Sequence, residues 1–331
     1  MKPSSLMNYL KCTIPAQLPT LIKGAPGIGK TDIVKQACDA VGAELFISHP
    51  VVSDPVDYKG MPFVVDGEAH FLPFGELQVL IKADKLLVFF LDDLGQAPAS
   101  VQAAAMQLIL ARRVNGHVVS PNVCFLAATN RKQDKAGVSG ILEPVKSRFC
   151  SIIELEPDLN DWVAWALGAG IPTELIAFIR YRSDFLHDFK PTADITNSPC
   201  PRTLHNVGKL MQVGLPPELE YDVFSGAAGE AFAAEFTGFL RIFRTLPNPD
   251  LIMMDPDKAE VPSDPATLYA LCGALSRKAS DNTMERIVRY ANRMPADFSV
   301  LLIKDCKDLN PDVLNTRAYI EWAVKHQDVN F

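Results

Sequence analysis

The sequence predicts a three-layer α/β sandwich around a parallel five-stranded sheet, followed by an all-helical part. Three observations carry that prediction. A short apolar run, Leu18–Ile22, leads into the glycine loop Gly24–Thr31, which opens an amphipathic stretch to Val41. Leu86–Leu91 and Val123–Ala128 are apolar throughout. Runs of that kind are buried on both faces of a parallel sheet. Beyond about residue 157 the strand signal fades and only helical periodicity continues.

The remaining elements follow in order. Glu44–Ser48 reads as a second strand and Cys150–Glu154 as the last. Pro98–Arg112 is alanine-rich, with a proline tolerated in its first turn, and reads as a helix. Residues 61–72 alternate around Asp66-Gly67, a strong hairpin signal. In the second half, helices are predicted over 158–169, 173–185, 202–213, 217–224 and 227–246. A proline- and aspartate-rich linker is predicted over 247–265, then helices over 266–278, 283–294, 295–304 and 313–325. The organisation expected is a core at 1–156, a helical lid at 157–246, and a linker with helical extension at 247–331.

Composition narrows the function classes. The chain has 331 residues and is 48% apolar, enough for a sizeable core. No apolar run approaches the twenty residues of a membrane span. The first residues lack the apolar stretch of a secretory signal. Seven scattered cysteines include no C-x-x-C pair, which fits a reducing cytoplasm and argues against a zinc or disulfide framework. The six histidines show no metal spacing. Residues 1–155 hold 15 basic and 14 acidic side chains, whereas residues 156–331 hold 17 and 25. So acidic a second half is poorly suited to wrapping nucleic acid, whose affinity comes largely from phosphate neutralisation.

Gly24-Ala25-Pro26-Gly27-Ile28-Gly29-Lys30-Thr31 fits G-x-x-x-x-G-K-[ST]. Glycines let backbone N–H groups converge on one point, and the helix that follows adds its positive end. Lys30 has the reach to meet outer phosphates, and the Thr31 hydroxyl suits Mg²⁺. Asp92-Asp93 stands at the carboxyl end of the apolar run 86–91, where ligands of parallel sheets sit. One carboxylate there suits Mg²⁺, and the other suits orienting or deprotonating an attacking water. Asn130 follows the apolar run 123–128 and offers an amide to the same place. Arg148 precedes the last strand, and Arg202 opens a helix of the lid. Read alone, each arginine is an ordinary surface or helix-start residue.

Taken together these segments resemble the AAA+ ATPases, and within them the MoxR-like branch. The resemblance runs through Gly24–Thr31, Phe90–Pro98, Gln107–Val114, Ala127–Asn130, Pro144–Phe149 and Pro199–Leu204, covering roughly residues 15 to 215. It implies an ATPase using ATP and Mg²⁺, with Lys30 and Thr31 as the Walker A pair and Asp92 as the Walker B magnesium ligand. It places Asp93 where the family usually has its catalytic glutamate, one methylene longer. It implies Asn130 as sensor 1, Arg148 as an arginine finger reaching the neighbouring subunit, and Arg202 as sensor 2. The hairpin at 61–72 matches the family's helix-2 insert, which points toward the pore of a ring. A homo-oligomeric ring, most simply a hexamer, is therefore expected, with a protein client and a von Willebrand factor A domain partner.

Two other functions remain open from the sequence. One is a DNA- or RNA-acting motor or loader, for which no zinc knuckle, helix-turn-helix or basic tract is found. The other is a nucleotide-gated scaffold that barely turns over, because the shorter Asp93 carboxylate falls short of its usual place. A small-molecule kinase shares the phosphate loop, but Asn130, Arg148 and Arg202 argue against it.

Overall fold

The computed structural model describes residues 1–134, 140–192, 194–246 and 248–326. The expected core, lid and extension each include some residues outside these ranges. The chain divides into two compact units, Met1–Asp158 with Phe189–Ala193, and Leu159–Asp188 with Asp194–Phe331.

The first unit begins with α1 (Pro3–Thr13), β1 (Thr20–Lys23), α2 (Lys30–Val41) and β2 (Glu44–Ser48). It continues with α3 (Pro55–Lys59), the hairpin strands β3 (Met61–Val65) and β4 (Glu68–Leu72), and α4 (Gly75–Lys82). Then come β5 (Leu87–Leu91), α5 (Ala99–Ala111), a small hairpin of β6 (Arg113–Val114) and β7 (His117–Val118), and β8 (Val123–Thr129). The unit closes with α6 (Glu143–Lys146) and β9 (Ser151–Glu154). The main sheet runs β2-β5-β8-β1-β9, parallel throughout. This is the predicted fold class.

Strand alternation explains the three layers. Phe89, Leu91, Phe125 and Ala127 pack into one cluster with Leu77 and Leu80 of α4 and Val101 and Leu108 of α5. Their neighbours Val88, Phe90, Cys124, Leu126 and Ala128 point the other way, onto Leu6 and Leu10 of α1 and Ile33, Val34 and Ala37 of α2. With both faces covered, every residue of β5 and β8 is buried, hence their uninterrupted apolar sequence. The β3–β4 hairpin is the opposite case: all ten strand residues are exposed. Asp66 and Gly67 both take positive φ, 53° and 81°, and Val65 pairs with Glu68 across a two-residue turn.

Several elements differ from expectation. The first helix, α1, was not expected; it buries Leu6, Leu10 and Thr13 along one stripe behind a proline at its start. The short α3 and α4 flank the hairpin, so the insert is larger than residues 61–72. Asn115-Gly116, with φ of 49° and 85°, makes the unexpected second hairpin.

The second unit contains α7 (Leu159–Gly168), α8 (Thr173–Tyr181), α9 (Pro201–Gln212), α10 (Pro217–Ala228), α11 (Glu230–Arg244) and α12 (Pro249–Met254). It ends with α13 (Pro265–Ser276), α14 (Met284–Ala291), α15 (Ala296–Leu309) and α16 (Arg317–Lys325). The helix expected over 173–185 stops at Tyr181, and a 3₁₀ turn carries Phe185 and Leu186 inward. The linker expected over 247–265 contains α12, capped by the Asn248 side chain accepting from the Asp250 N–H at 2.9 Å. Residues 311–315 form a 3₁₀ turn ahead of α16.

Two cores meet on α13. Ala266 and Ala270 join the cluster built around Phe178, Phe232, Phe236 and Phe239, while Leu268, Leu271 and Leu275 join Ile287, Leu302 and Trp322. Arg180 of α8 and Asp305 of α15 form a nearly buried bidentate pair, Nη2 donating to Oδ1 at 2.6 Å. Removing one partner of such a pair leaves the other charge stranded at low dielectric. Arg180→Ala is therefore expected to destabilise the second unit by about 3–5 kcal/mol, read as a lowered urea midpoint with unchanged slope.

Candidate phosphate-binding site

The loop 24–29 lies between the end of β1 and the start of α2 and needs glycine for two different reasons. Gly29, which precedes the helix, has φ 91° and ψ 22°, a conformation that a Cβ disfavours. Gly24 needs space instead: a Cβ there would lie 2.9 Å from the Leu155 carbonyl and 2.6 Å from Ile28 Cδ1. Register then decides what surrounds the loop. Lys23 of β1 pairs with Thr129 of β8, and the Gly24 N–H donates to the Thr129 carbonyl at 3.2 Å. Asn130, the next residue, therefore stands beside the loop.

Lys30 is 7% exposed, and a charge so placed requires partners. Its ammonium donates to the carbonyls of Gly24 at 3.1 Å and Ala25 at 2.9 Å, and to Asn130 Oδ1 at 2.7 Å. The other end of that amide, Asn130 Nδ2, donates to Asp93 Oδ1 at 3.1 Å. Thr31 Oγ1 donates to Asp92 Oδ2 at 2.9 Å, and the Asp93 N–H donates to Asp92 Oδ1 at 3.1 Å. One polar circuit thus joins Thr31, Asp92, Asp93, Asn130 and Lys30 across the carboxyl ends of β5, β8 and β1, three adjacent strands.

Asp93 sits in the left-handed region, φ 55° and ψ 34°. Asp and Asn tolerate that conformation better than longer side chains do. A short carboxylate therefore suits the backbone at this position.

Thr31 and Asp92 offer hard oxygen donors side by side, the set that Mg²⁺ takes beside phosphate oxygens and water. Among the described residues no cluster of three or more His, Cys, Asp or Glu could hold a metal by itself.

Arg148 lies in the turn after α6 in the same unit. Its Nη1 donates to Ser147 Oγ at 3.2 Å, and its buried Nε has no hydrogen-bond partner among the described residues. No hydrogen bond brings Arg148 to the circuit among the described contacts. Arg202 is exposed, the second residue of α9, and belongs to the second unit. The circuit therefore gathers Lys30, Thr31, Asp92, Asp93 and Asn130, and no described hydrogen bond joins Arg148 of the same unit to it.

Other contributors were not expected. Arg131, directly after Asn130, donates to both oxygens of Asp134 at 2.9 Å and reaches Glu154 of β9 at 3.8 Å. It anchors the chain on which Asn130 sits. The small hairpin braces the large one: Asn115 Nδ2 donates to the Lys59 carbonyl at 2.9 Å, and His117 Nε2 meets the Phe71 carbonyl at 2.6 Å. The Asn-Gly dipeptide was the available signal.

No protein-family model matches the chain, and no curated protein matches it. Solved structures do resemble it. A proline-to-glycine variant of Thermotoga maritima RuvB aligns over 82% of this chain and 80% of its own, with 16% identity and TM-score 0.45. Thermotoga maritima RuvB, described as a Holliday junction branch migration motor, aligns over the same shares with 14% identity and TM-score 0.42. NtrX from Brucella abortus in complex with ADP aligns over 98% of this chain and 68% of its own, with 15% identity and TM-score 0.41. Likenesses at these levels carry no functional weight.

Gly24→Ala is expected to strain the junction of β1 and the loop, costing about 1–3 kcal/mol. Thermal unfolding of the full chain checks it.

Proposed function

We propose that the chain is an ATP-hydrolysing AAA+ ATPase of the MoxR-like type that works as a homo-oligomeric ring on a protein client. One observation carries the catalytic part: the Asn130 amide bridges the buried Lys30 ammonium to the Asp93 carboxylate, beside the Thr31–Asp92 pair. A cationic donor, a metal-ligand pair and a strand-end carboxylate in one place suit phosphoryl transfer to water.

Each residue has a physical role in that reading. The backbone N–H groups of the loop, the start of α2 and Lys30 bind the phosphates. Thr31 and Asp92 would hold Mg²⁺, whose charge offsets that of the phosphates. Asp93 orients the attacking water and accepts its proton, and Asn130 holds Asp93 and the water in register. Arg148 serves a neighbouring copy, a reading favoured by its Nε, which has no hydrogen-bond partner among the described residues, and by the lack of a described hydrogen bond from it to the circuit. For Arg202 as sensor 2, the Pro199–Leu204 motif is the support.

The client reading rests on the hairpin and on charge. Phe63, Val64, Val65, Phe71 and Leu72 stand 40–75% exposed on β3 and β4, an apolar surface suited to polypeptide. The acidic second half disfavours nucleic acid. A von Willebrand factor A domain partner and a cytoplasmic setting complete the proposal; no helix among the described residues is long and apolar enough to cross a membrane.

Asp93 separates this reading from the slow scaffold. Asn tolerates the left-handed backbone equally well, so Asp93→Asn changes charge and not conformation. It is expected to abolish steady-state turnover while ATP affinity stays within about twofold; turnover at the parent rate would refute the role. Mixing Arg148→Ala subunits with Lys30→Ala subunits is expected to restore part of the activity. No recovery at any ratio, with both variants assembling, would refute a shared site. DNA-stimulated turnover at near-physiological salt would favour a nucleic-acid motor.

A further inference from the structure

Ser48 is the last residue of β2, 1% exposed, and pairs with Leu91 of β5. Its carbonyl accepts the Asp92 N–H at 2.9 Å, so it sets the backbone from which both acidic side chains leave the sheet. Its hydroxyl does something separate. Oγ donates to Glu76 Oε2 at 2.7 Å and lies 2.7 Å from the Tyr58 hydroxyl. A serine has one proton to give, so with Oγ donating to Glu76 its lone pairs are left for the Tyr58 hydroxyl, which also interacts directly with Glu76. Burial keeps the Tyr58 phenol protonated, pushed up to about 12, and raises the Glu76 carboxyl above its usual range.

The two partners occupy particular places in the chain. Tyr58, fully buried, belongs to α3, which ends two residues before β3 begins. Glu76 is the second residue of α4, which begins three residues after β4 ends. The exposed hairpin is thus held at both of its ends by one serine. α3 is fixed in turn by a capping box, the Asp54 N–H donating to Asp57 Oδ2 at 2.8 Å. Gly75 packs so closely on Asp57 that a Cβ would lie 3.1 Å from its Oδ1. From the hairpin's ends the path continues through the Ser48 peptide to Asp92, and from Asp92 to Thr31 of the phosphate loop.

We propose that Ser48, Tyr58 and Glu76 are positioning residues that tie the Asp92-Asp93 turn to both ends of the β3–β4 hairpin, so that nucleotide binding and the hairpin's mobility are coupled through the Ser48 hydroxyl. The proposal rests on the nucleotide reading of the site. A buried polar group that merely satisfies its neighbours would affect stability alone. A positioning relay affects the rate step and the hairpin's response as well.

The experiment uses the full chain with ATP and Mg²⁺ and compares Ser48→Ala, its conservative counterpart Ser48→Thr, and Tyr58→Phe. Three quantities are read: nucleotide affinity, kcat, and amide hydrogen exchange over residues 61–72 with and without nucleotide. For Ser48→Ala the relay predicts affinity within about twofold and kcat reduced about tenfold or more, as for a small misplacement of catalytic groups. It also predicts that nucleotide no longer changes exchange in the hairpin, and that Ser48→Thr restores both responses. Combining Ser48→Ala with Tyr58→Phe is expected to be no worse than Ser48→Ala alone, because both cut the same chain of bonds. Unchanged kcat with a retained hairpin response in folded Ser48→Ala would overturn the relay. So would losses that Ser48→Thr fails to restore. If Ser48→Ala does not fold, Tyr58→Phe and Glu76→Leu against Glu76→Gln carry the same comparison. An unmodified chain that binds no nucleotide refutes the nucleotide reading and the relay with it. An unmodified chain that binds nucleotide while its hairpin stays indifferent refutes the relay alone.

Discussion

Parallel pairing of β5, β8 and β1 places three strand ends side by side, and the site is built on that constraint. Each strand delivers one part at its carboxyl end: the acidic pair, the amide and the glycine loop. Hydrogen-bond register sets their relative heights. Lys23 level with Thr129 puts Asn130 beside Gly24, and Leu91 level with Ala127 puts Asp92 level with Ala128, two residues before Asn130. A slip of one residue would reverse the faces of β8 and move the amide away from Lys30. The two cores against the sheet forbid it, because Phe125 and Leu126 fill different layers.

Within that frame, Lys30 is the costliest group to accommodate. A nearly buried ammonium is tolerable only because carbonyls and an amide oxygen surround it. The amide that satisfies Lys30 simultaneously holds Asp93, so the requirements of burial and of chemistry coincide in Asn130. Asp93 shows the same coincidence on the backbone. Its left-handed conformation suits a short carboxylate, and a glutamate there would gain reach at the expense of conformational ease.

The hairpin is organised by a different principle. None of its strand residues is buried, so its position is decided largely by what happens at its ends and along its flank. The Ser48, Tyr58 and Glu76 hydroxyl and carboxyl groups hold the ends, and the Asn115 and His117 contacts hold the flank. An exposed apolar element held mainly by polar bonds at its base has few packing contacts to resist movement.

The sequence by itself determined the fold class, the glycine loop and the strand-end positions of Asp92, Asp93 and Asn130. These are local signals: apolar runs, glycine spacing, and charge after a buried strand. It also marked the hairpin at Asp66-Gly67, because a two-residue turn has its own sequence chemistry. Asn115-Gly116 carries the same signal directly after a strong helix. Only the tertiary structure decided that Asn130 joins Lys30 to Asp93, that Ser48 holds Tyr58 and Glu76, and that Arg180 pairs with Asp305 across 125 positions of chain. The physical reason is common to all three. Each is a side-chain hydrogen bond between groups distant in the chain, set by register and packing, and neither leaves a periodicity in the sequence.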